Sequence, residues 1–230
     1  MACMGAGGVL AYQPLFFVGT GTNGVAVGTV VALGSAPVLT GLIDSLLRRR
    51  APASRWFVAT ALCIAGVTMV SGVLDSGASL GGPDVLWSVA AGGCYAVYAL
   101  SAKELMERGW PSQHAMGAMF GVAAAAASVP LPFIVGAEWL WTPRGLALVL
   151  WLGVIATALG YLLFGWGLAR LPATTVTTLT LAEPLCATLL GIGLLHEQLS
   201  LVAASGLVVL AAGLAVLTVT RRRVGASTVA

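Results

Sequence analysis

The sequence contains apolar stretches that are long enough to cross a lipid bilayer. Residues 24–43 and 201–220 each form a run without an acidic, basic or histidine side chain. A helix of about 20 apolar residues spans the hydrocarbon core of a membrane, because it rises about 1.5 Å per residue. Runs of this length and composition therefore predict transmembrane helices.

Eight such stretches account for most of the chain. Hydrophobic residues make up 59% of the 230 positions and charged residues only 8%, against roughly 25% charged residues in soluble domains. The predicted fold is therefore an all-α, polytopic membrane helix bundle of about eight transmembrane helices. The spans are expected at residues 5–21, 24–43, 56–74, 85–102, 115–137, 145–169, 171–195 and 201–220.

The basic residues are expected on one side of the membrane. With a cytoplasmic N-terminus and alternating spans, Arg144 is the one external residue among the 11 lysines and arginines. This positive-inside bias predicts that both termini are cytoplasmic and that the chain lies in the inner membrane of a bacterium. Tryptophans at predicted span ends are expected to be interfacial anchors; they are Trp56, Trp110, Trp139 and Trp141.

Two segments of the chain are related by a constant shift of 147 positions. When residues 35–72 are aligned with residues 182–219, Pro37 falls on Pro184 and Gly66 falls on Gly213. The connecting loop of the first copy, RRRAPASR, is predicted to be cytoplasmic, whereas that of the second copy, HEQLS, is predicted to be external. Copies inserted in opposite directions are typical of transporters, so the repeat favours a transporter over an enzyme.

The aligned segments resemble the drug/metabolite transporter superfamily, and within it the EamA-type transporters. The resemblance is carried by AEPLCATLLGIGLLHEQLS followed by GLVVLAAG, and by GTVVALGSAPVLTGLIDSLLRRR followed by ATALCIAG. It covers essentially the whole chain. It implies two inverted five-helix repeats that move small solutes by alternating access.

The chain departs from this pattern at its start, because its first repeat has only three predicted spans. The expected organisation is a truncated first repeat at residues 1–74, an external linker at 75–83, a five-helix second repeat at 84–220 and a basic tail at 221–230. Two functions stay open. The chain is a secondary exporter of small polar or amphipathic metabolites (amino acids, amines or drugs), or it is a transport-incompetent remnant or partner subunit that needs another chain, such as a second copy in a homodimer.

A carboxylate and a proline interrupt the seventh predicted span. A charge at the bilayer centre costs about 2.5–3.5 kcal/mol on insertion scales, so Glu183 is expected to face a cavity or a partner, or to be neutral. Pro184 has no N–H for the carbonyl of Thr180, which predicts a kink and an exposed acceptor. Together with Thr177, these residues predict a cavity wall near the midplane. Glu183 then either contacts a cationic group or carries a proton, or it hydrogen-bonds a neighbouring helix and fixes packing.

The four tyrosines lie inside predicted spans, although tyrosine is more usual at membrane interfaces. Tyr95 and Tyr98 share one helix face, and Tyr12 and Tyr161 occupy similar places in the two copies. Their hydroxyl groups either line a cavity or form hydrogen bonds between helices. The complete set of substrate-cavity candidates is Tyr12, Gln13, Ser35, Pro37, Tyr95, Tyr98, Tyr161, Trp166, Thr177, Thr180, Glu183 and Pro184.

No pattern in the sequence indicates a catalytic centre or a metal site. The four cysteines lack CxxC spacing, and neither histidine has a second ligand nearby in sequence, so we expect no metal and no cofactor. An intramembrane enzyme is disfavoured because no nucleophile motif lies in a span. The expected partners are the lipid bilayer and a small-molecule substrate, and no nucleic acid. The two arginine clusters, 48–50 and 221–223, are expected to set the topology, with anionic-lipid binding as an additional role.

Overall fold

A computed structural model describes residues 1–74, 83–130, 138–195 and 199–225 of the chain, with the side chains of 138, 195 and 219–225 excepted. These ranges are helical and contain no β-strand. Almost all of the predicted linker and the side chains of the C-terminal arginines lie outside the described residues. The helices are α1 Ala2–Asn23, α2 Val25–Arg48, α3 Ser54–Val70, α4 Val85–Glu107, α5 Ser112–Ser128, α6 Pro143–Arg170, α7 Ala173–Leu179, α8 Ala182–Leu195 and α9 Leu201–Gly225.

Each predicted span coincides with a helix, or with the pair α7 and α8. Six helical segments are long and apolar enough to cross a membrane, including α1 with its internal Pro14. The other two predicted spans correspond to α3 and α5, which have 17 residues each. Residues 131–137, the end of the predicted fifth span, lie outside the described residues. The all-α membrane fold predicted from the sequence is confirmed.

Gly24 separates the first two helices on its own. The sequence predicts a turn over TGTNG, residues 20–24, yet α1 continues through Asn23. Gly24 has a φ of 82°, a left-handed conformation that glycine adopts without steric cost. The last turn of α1 is capped from within, since the Asn23 side-chain amide donates to the carbonyl of Gly19 at 2.9 Å. The predicted turn is therefore confined to one residue.

The chain forms two compact units. The first contains residues 1–11 and 97–173, and the second contains residues 12–96 together with the chain from residue 174 onward, over the described positions. Helices α1, α4 and α7 contribute residues to both units, α7 through Ala173. These spatial units do not follow the predicted repeat boundaries, which stay a prediction about sequence.

In the second unit, α3 and α9 pack with their backbones in close contact. A Cβ atom at Gly66 would lie 2.6 Å from the backbone nitrogen of Leu210, and one at Gly213 would lie 2.9 Å from the backbone nitrogen of Cys63. Such close approach is possible because glycine has no side chain, and it is a main source of attraction between helices in lipid. The α3–α9 pair thereby forms the centre of this unit.

The contact between α3 and α9 is reciprocal under the 147-residue shift. Gly66 packs on Leu210, and the positions that the shift assigns to these two residues, Gly213 and Cys63, pack on each other. Reciprocal contacts of this kind arise when two copies are related by a two-fold axis. The inverted repeat seen in the sequence therefore has a direct counterpart in this helix pair.

Candidate functional site

The seventh predicted span is broken ahead of Pro184. α7 ends at Leu179 and α8 begins at Ala182. The nitrogen of Glu183 donates to the carbonyl oxygen of Thr180 at 2.9 Å, which is the tighter bonding of a 3₁₀ turn. The α-helix is thus interrupted at the place where the sequence predicts a kink. The prediction of an exposed carbonyl at Thr180 is wrong, because Glu183 supplies the hydrogen bond that proline cannot.

Glu183 lies in the first turn of α8, and its side chain is exposed on the surface of the second unit. Among the residues that the structure describes, none forms a hydrogen bond or an ion pair with its carboxylate. The half-buried Asp44 is different, because it pairs with Arg48 at 2.7 Å as its sequence spacing predicts. A negative group near a helix N-terminus is favoured by the helix dipole. The break thus presents a carboxylate inside an otherwise uncharged segment.

The threonines of α7 point mostly into the unit. Thr174, Thr177 and Thr178 are buried, while Thr180 and Pro184 are half-buried. The hydroxyl of Thr177 donates to the carbonyl of Thr174 at 3.2 Å, and that of Thr180 donates to the carbonyl of Thr177 at 2.8 Å. Of the predicted wall, the structure therefore leaves Thr180, Glu183 and Pro184 accessible and covers Thr177.

Trp56 connects α3 to the threonine-rich helix. Its indole nitrogen donates to the carbonyl of Thr174 at 3.0 Å and to the hydroxyl of Thr178 at 3.1 Å. Thr60 pairs with the same Thr178 hydroxyl at 3.1 Å, and Gly41 of α2 packs against the indole ring. Trp56 is only 7% exposed. Its prediction as an interfacial anchor is wrong, because its polar edge is satisfied inside the protein.

The remaining candidates of the second unit lie in three places. Tyr12 and Tyr95 meet edge to face with ring centres 6.1 Å apart, and Gln13 next to them is exposed. Ser35 packs against Gly92 of α4 and donates to the carbonyl of Ala32 at 3.2 Å. These contacts place the tyrosine pair and Ser35 at helix–helix junctions.

Pro37 is buried within a continuous α2.

The first unit contains a cluster of aromatic side chains. Tyr161 of α6 lies between Phe120 of α5, at a ring-centre distance of 4.3 Å, and Tyr98 of α4, at 6.1 Å. Tyr98 is 2% exposed, whereas Tyr161 borders a cavity of about 260 Å³ between α5 and α6. Gln113 and Thr157 add polar groups to the cavity wall. Tyr161 is thus the candidate tyrosine of this unit that reaches a cavity.

Trp166 pairs with a charged neighbour at the end of α6. The side chain is 58% exposed, and the guanidinium carbon of Arg170 lies 3.8 Å from the centre of one of its rings. Arg170 also donates to the carbonyl of Trp166 at 2.8 Å. A cation over an aromatic face is a stabilising electrostatic contact. In the structure, Trp166 therefore pairs with Arg170, which lies one turn later at the end of the same helix.

A second cavity, which the sequence did not indicate, lies between α2 and α3 of the second unit. It has a volume of about 410 Å³, and Pro52, Trp56 and Phe57 form part of its wall. We call it the α2–α3 groove. Its lining is spread over two helices and the loop between them, so no local sequence pattern marks it.

The histidine, cysteine and carboxylate side chains are scattered over the described part of the chain. Within those residues, no three histidine, cysteine, aspartate or glutamate side chains come close enough to hold an ion. Cys63 is buried in the α3–α9 contact, whereas Cys3 and Cys186 are exposed. The cysteines described here are free thiols.

Comparison with known proteins shows the family to which this chain belongs. The sequence profile of the EamA-like transporter family matches residues 83–219, which is more than half of the chain. The chain belongs to the EamA-like transporter family. Together with its apolar helices, this membership makes it a multi-pass membrane protein and a transporter by family. The resemblance inferred from the repeat motifs is confirmed.

Individual relatives carry transporter names. The chain is 37% identical over 212 residues to "Uncharacterized transporter YwfM" of Bacillus subtilis strain 168, covering 92% of this chain and 71% of that protein. It is 28% identical over 199 residues to "Threonine/homoserine exporter RhtA" of Escherichia coli strain K12, covering 81% of this chain and 64% of that protein. A crystal structure of another protein superposes with a TM-score of 0.74 at 22% identity, over 97% of this chain and 77% of that one, and shows the same fold.

Proposed function

We propose that this chain is a secondary exporter of small polar or amphipathic metabolites that works by alternating access. It lies in the inner membrane of a bacterium, with both termini in the cytoplasm. The substrate class that we favour is amino acids and related amines, because one relative is named as an exporter of threonine and homoserine. We assign no catalytic role, since the relatives are named as transporters.

The observation that carries this proposal is the broken span with its exposed carboxylate. Substrate and ion sites of secondary transporters are typically built where a membrane helix is discontinuous. The hydroxyl groups of Thr177 and Thr178 are engaged within the unit, so Glu183 is the charged group that the break offers to a solute. A carboxylate in this place suits either the ammonium group of an amino acid or a transported proton.

The test is transport by the purified protein in liposomes. Radiolabelled threonine is loaded, and its release is followed with and without a pH difference across the membrane. We expect Glu183→Gln to lower pH-driven flux by about tenfold or more, since a glutamine amide cannot take up and release a proton. Exchange of labelled for unlabelled threonine is expected to continue in the same variant.

The matched control is Asp84→Asn, which removes an exposed carboxylate next to the start of α4, outside the membrane-spanning segment. This variant should transport like the unaltered protein. An unchanged pH dependence in Glu183→Gln contradicts proton coupling through this residue. A folded protein that moves neither threonine, homoserine nor a panel of amines contradicts the proposed export.

A second candidate is a subunit that works only beside another copy of the chain. The surface of α6 favours it, because every side chain from Leu146 to Gly160 is exposed. This apolar surface lies against lipid or against a partner helix. Reconstitution at decreasing protein-to-lipid ratios separates these cases. Flux per protein molecule stays constant for a monomer, and it falls on dilution for a homodimer.

A further inference from the structure

The mouth of the α2–α3 groove is apolar and open to the surroundings. Val38, Leu42 and Phe57 line it, and their side chains are 46%, 54% and 52% exposed. On a membrane-spanning bundle, an exposed apolar rim of this kind faces acyl chains and not water. The groove volume of about 410 Å³ lies within the range of about 300–1,000 Å³ that small-molecule sites occupy.

The hydrogen-bond donors among the groove side chains are all engaged within the protein. The hydroxyl of Ser45 donates to the carbonyl of Gly41 at 2.6 Å, and the hydroxyl of Thr60 is paired with that of Thr178. The indole nitrogen of Trp56 is used in its bonds to α7. Sites for polar solutes hold them with a few well-placed polar groups. The part of a ligand that fills this groove is therefore hydrocarbon.

Three arginines lie close in sequence to Pro52 and Trp56 of the groove wall. The loop between α2 and α3 lines the groove through Pro52, and this loop is flanked by Arg49, Arg50 and Arg55, which we call the groove arginines. In the described part of the chain, no residue forms a hydrogen bond or an ion pair with their guanidinium groups. Guanidinium groups bind phosphate oxygens through strong charge-assisted hydrogen bonds.

We propose that the α2–α3 groove binds one anionic phospholipid. An acyl chain fills the groove, and the phosphate of the headgroup contacts the groove arginines. The two halves of such a lipid match an apolar slot with three positive charges beside it. The inference goes beyond the proposed function and does not depend on it, because lipid binding is measured without transport.

The experiment is a titration of the detergent-purified protein with phosphatidylglycerol, followed by native mass spectrometry. Arg49→Gln, Arg50→Gln and Arg55→Gln are combined in one variant. We expect its binding to be about 100-fold weaker, because each arginine near the membrane surface strengthens binding to anionic lipid by about fivefold. A second variant, Ala61→Phe, places a ring in the groove from α3. It should weaken binding by about tenfold or more, because each methylene group that the ring keeps out of the groove removes about 0.8 kcal/mol of binding free energy.

The matched control removes the same number of exposed charges from the first unit, by combining Arg108→Gln, Arg144→Gln and Arg170→Gln. It should bind phosphatidylglycerol within about twofold of the unaltered protein, because the groove belongs to the second unit. Glycerol phosphate, which lacks acyl chains, should not displace the lipid. Equal losses in both triple variants, full binding by Ala61→Phe, or displacement by glycerol phosphate would each overturn the proposal. Circular dichroism confirms that each variant is folded.

Discussion

Replacing Gly66 by alanine forces a methyl group against the backbone of α9. The added Cβ would lie 2.6 Å from the nitrogen and 2.7 Å from the Cα of Leu210, where ordinary van der Waals contact begins at 3.4 Å. Neither atom belongs to a flexible side chain, so the two helices must move apart. Overpacking of this kind costs about 1–3 kcal/mol.

The helix propensity of alanine opposes this cost and has to be separated from it. Alanine is better than glycine inside a helix by about 1 kcal/mol. The matched control is Gly121→Ala in α5, because a Cβ atom there meets nothing within 4 Å. We expect the free energy of unfolding of Gly66→Ala to lie about 1–3 kcal/mol below that of Gly121→Ala.

The reciprocity of the contact makes the prediction sharper. Gly213→Ala should behave like Gly66→Ala, because it drives a methyl group against Cys63 in the equivalent place. The double variant should cost less than the two single losses together, since helices already separated by one methyl group accommodate the second. The assay is unfolding in mixed micelles with increasing dodecyl sulfate, followed by circular dichroism. If both single variants are as stable as Gly121→Ala, the close α3–α9 contact is refuted.

Two further predictions concern the threonine-rich segment. Trp56→Phe keeps a ring against Gly41 and loses both indole hydrogen bonds, so the free energy of unfolding should fall by about 0.5–1.5 kcal/mol. The control is Trp110→Phe at an exposed position, which should leave the free energy of unfolding unchanged in the same assay. Equal effects of the two variants would contradict the hydrogen bonds of Trp56 to α7. Pro184→Ala supplies an N–H that can donate to the carbonyl of Thr180 in α-helical geometry, in place of the 3₁₀ bond from Glu183, and should join α7 to α8. We expect threonine exchange in liposomes to fall by about tenfold or more in a protein with undiminished stability, because the discontinuity that builds the site is lost. Exchange at the unaltered rate would argue against a role for the break.

The number and approximate position of the helices could be predicted because hydrophobic length is a local property. Each apolar run had to become a helix, since a backbone in lipid must satisfy its hydrogen bonds internally. Pro184 shows the limit of this reasoning. Pro37 occupies the equivalent position in the repeat, yet α2 runs continuously through it while the span around Pro184 is broken. The difference between the copies is visible only in the structure.

The candidate site was predicted less completely than the helices. The sequence indicated the kink and placed Glu183 beside it, since both follow from proline and a carboxylate in an apolar run. It did not show that the threonines around Thr178 are engaged by Trp56, which is more than a hundred positions away. Nor did it show that Tyr98 is covered while Tyr161 reaches a cavity. A polar residue in a span is visible in sequence, whereas its partner is not.

The amino-acid sequence alone establishes that the chain lies in a lipid bilayer, and it also establishes the class of fold, the inverted repeat and the family. These depend on composition and on spacing along the chain, which the residues state directly. Tertiary structure decided which polar groups remain available and where the cavities lie. The wall of the α2–α3 groove comes from two helices and a loop, and the accessibility of Glu183 depends on the helices packed around α8. Both are properties of helix packing, and packing is set by side chains that meet only after the chain has folded.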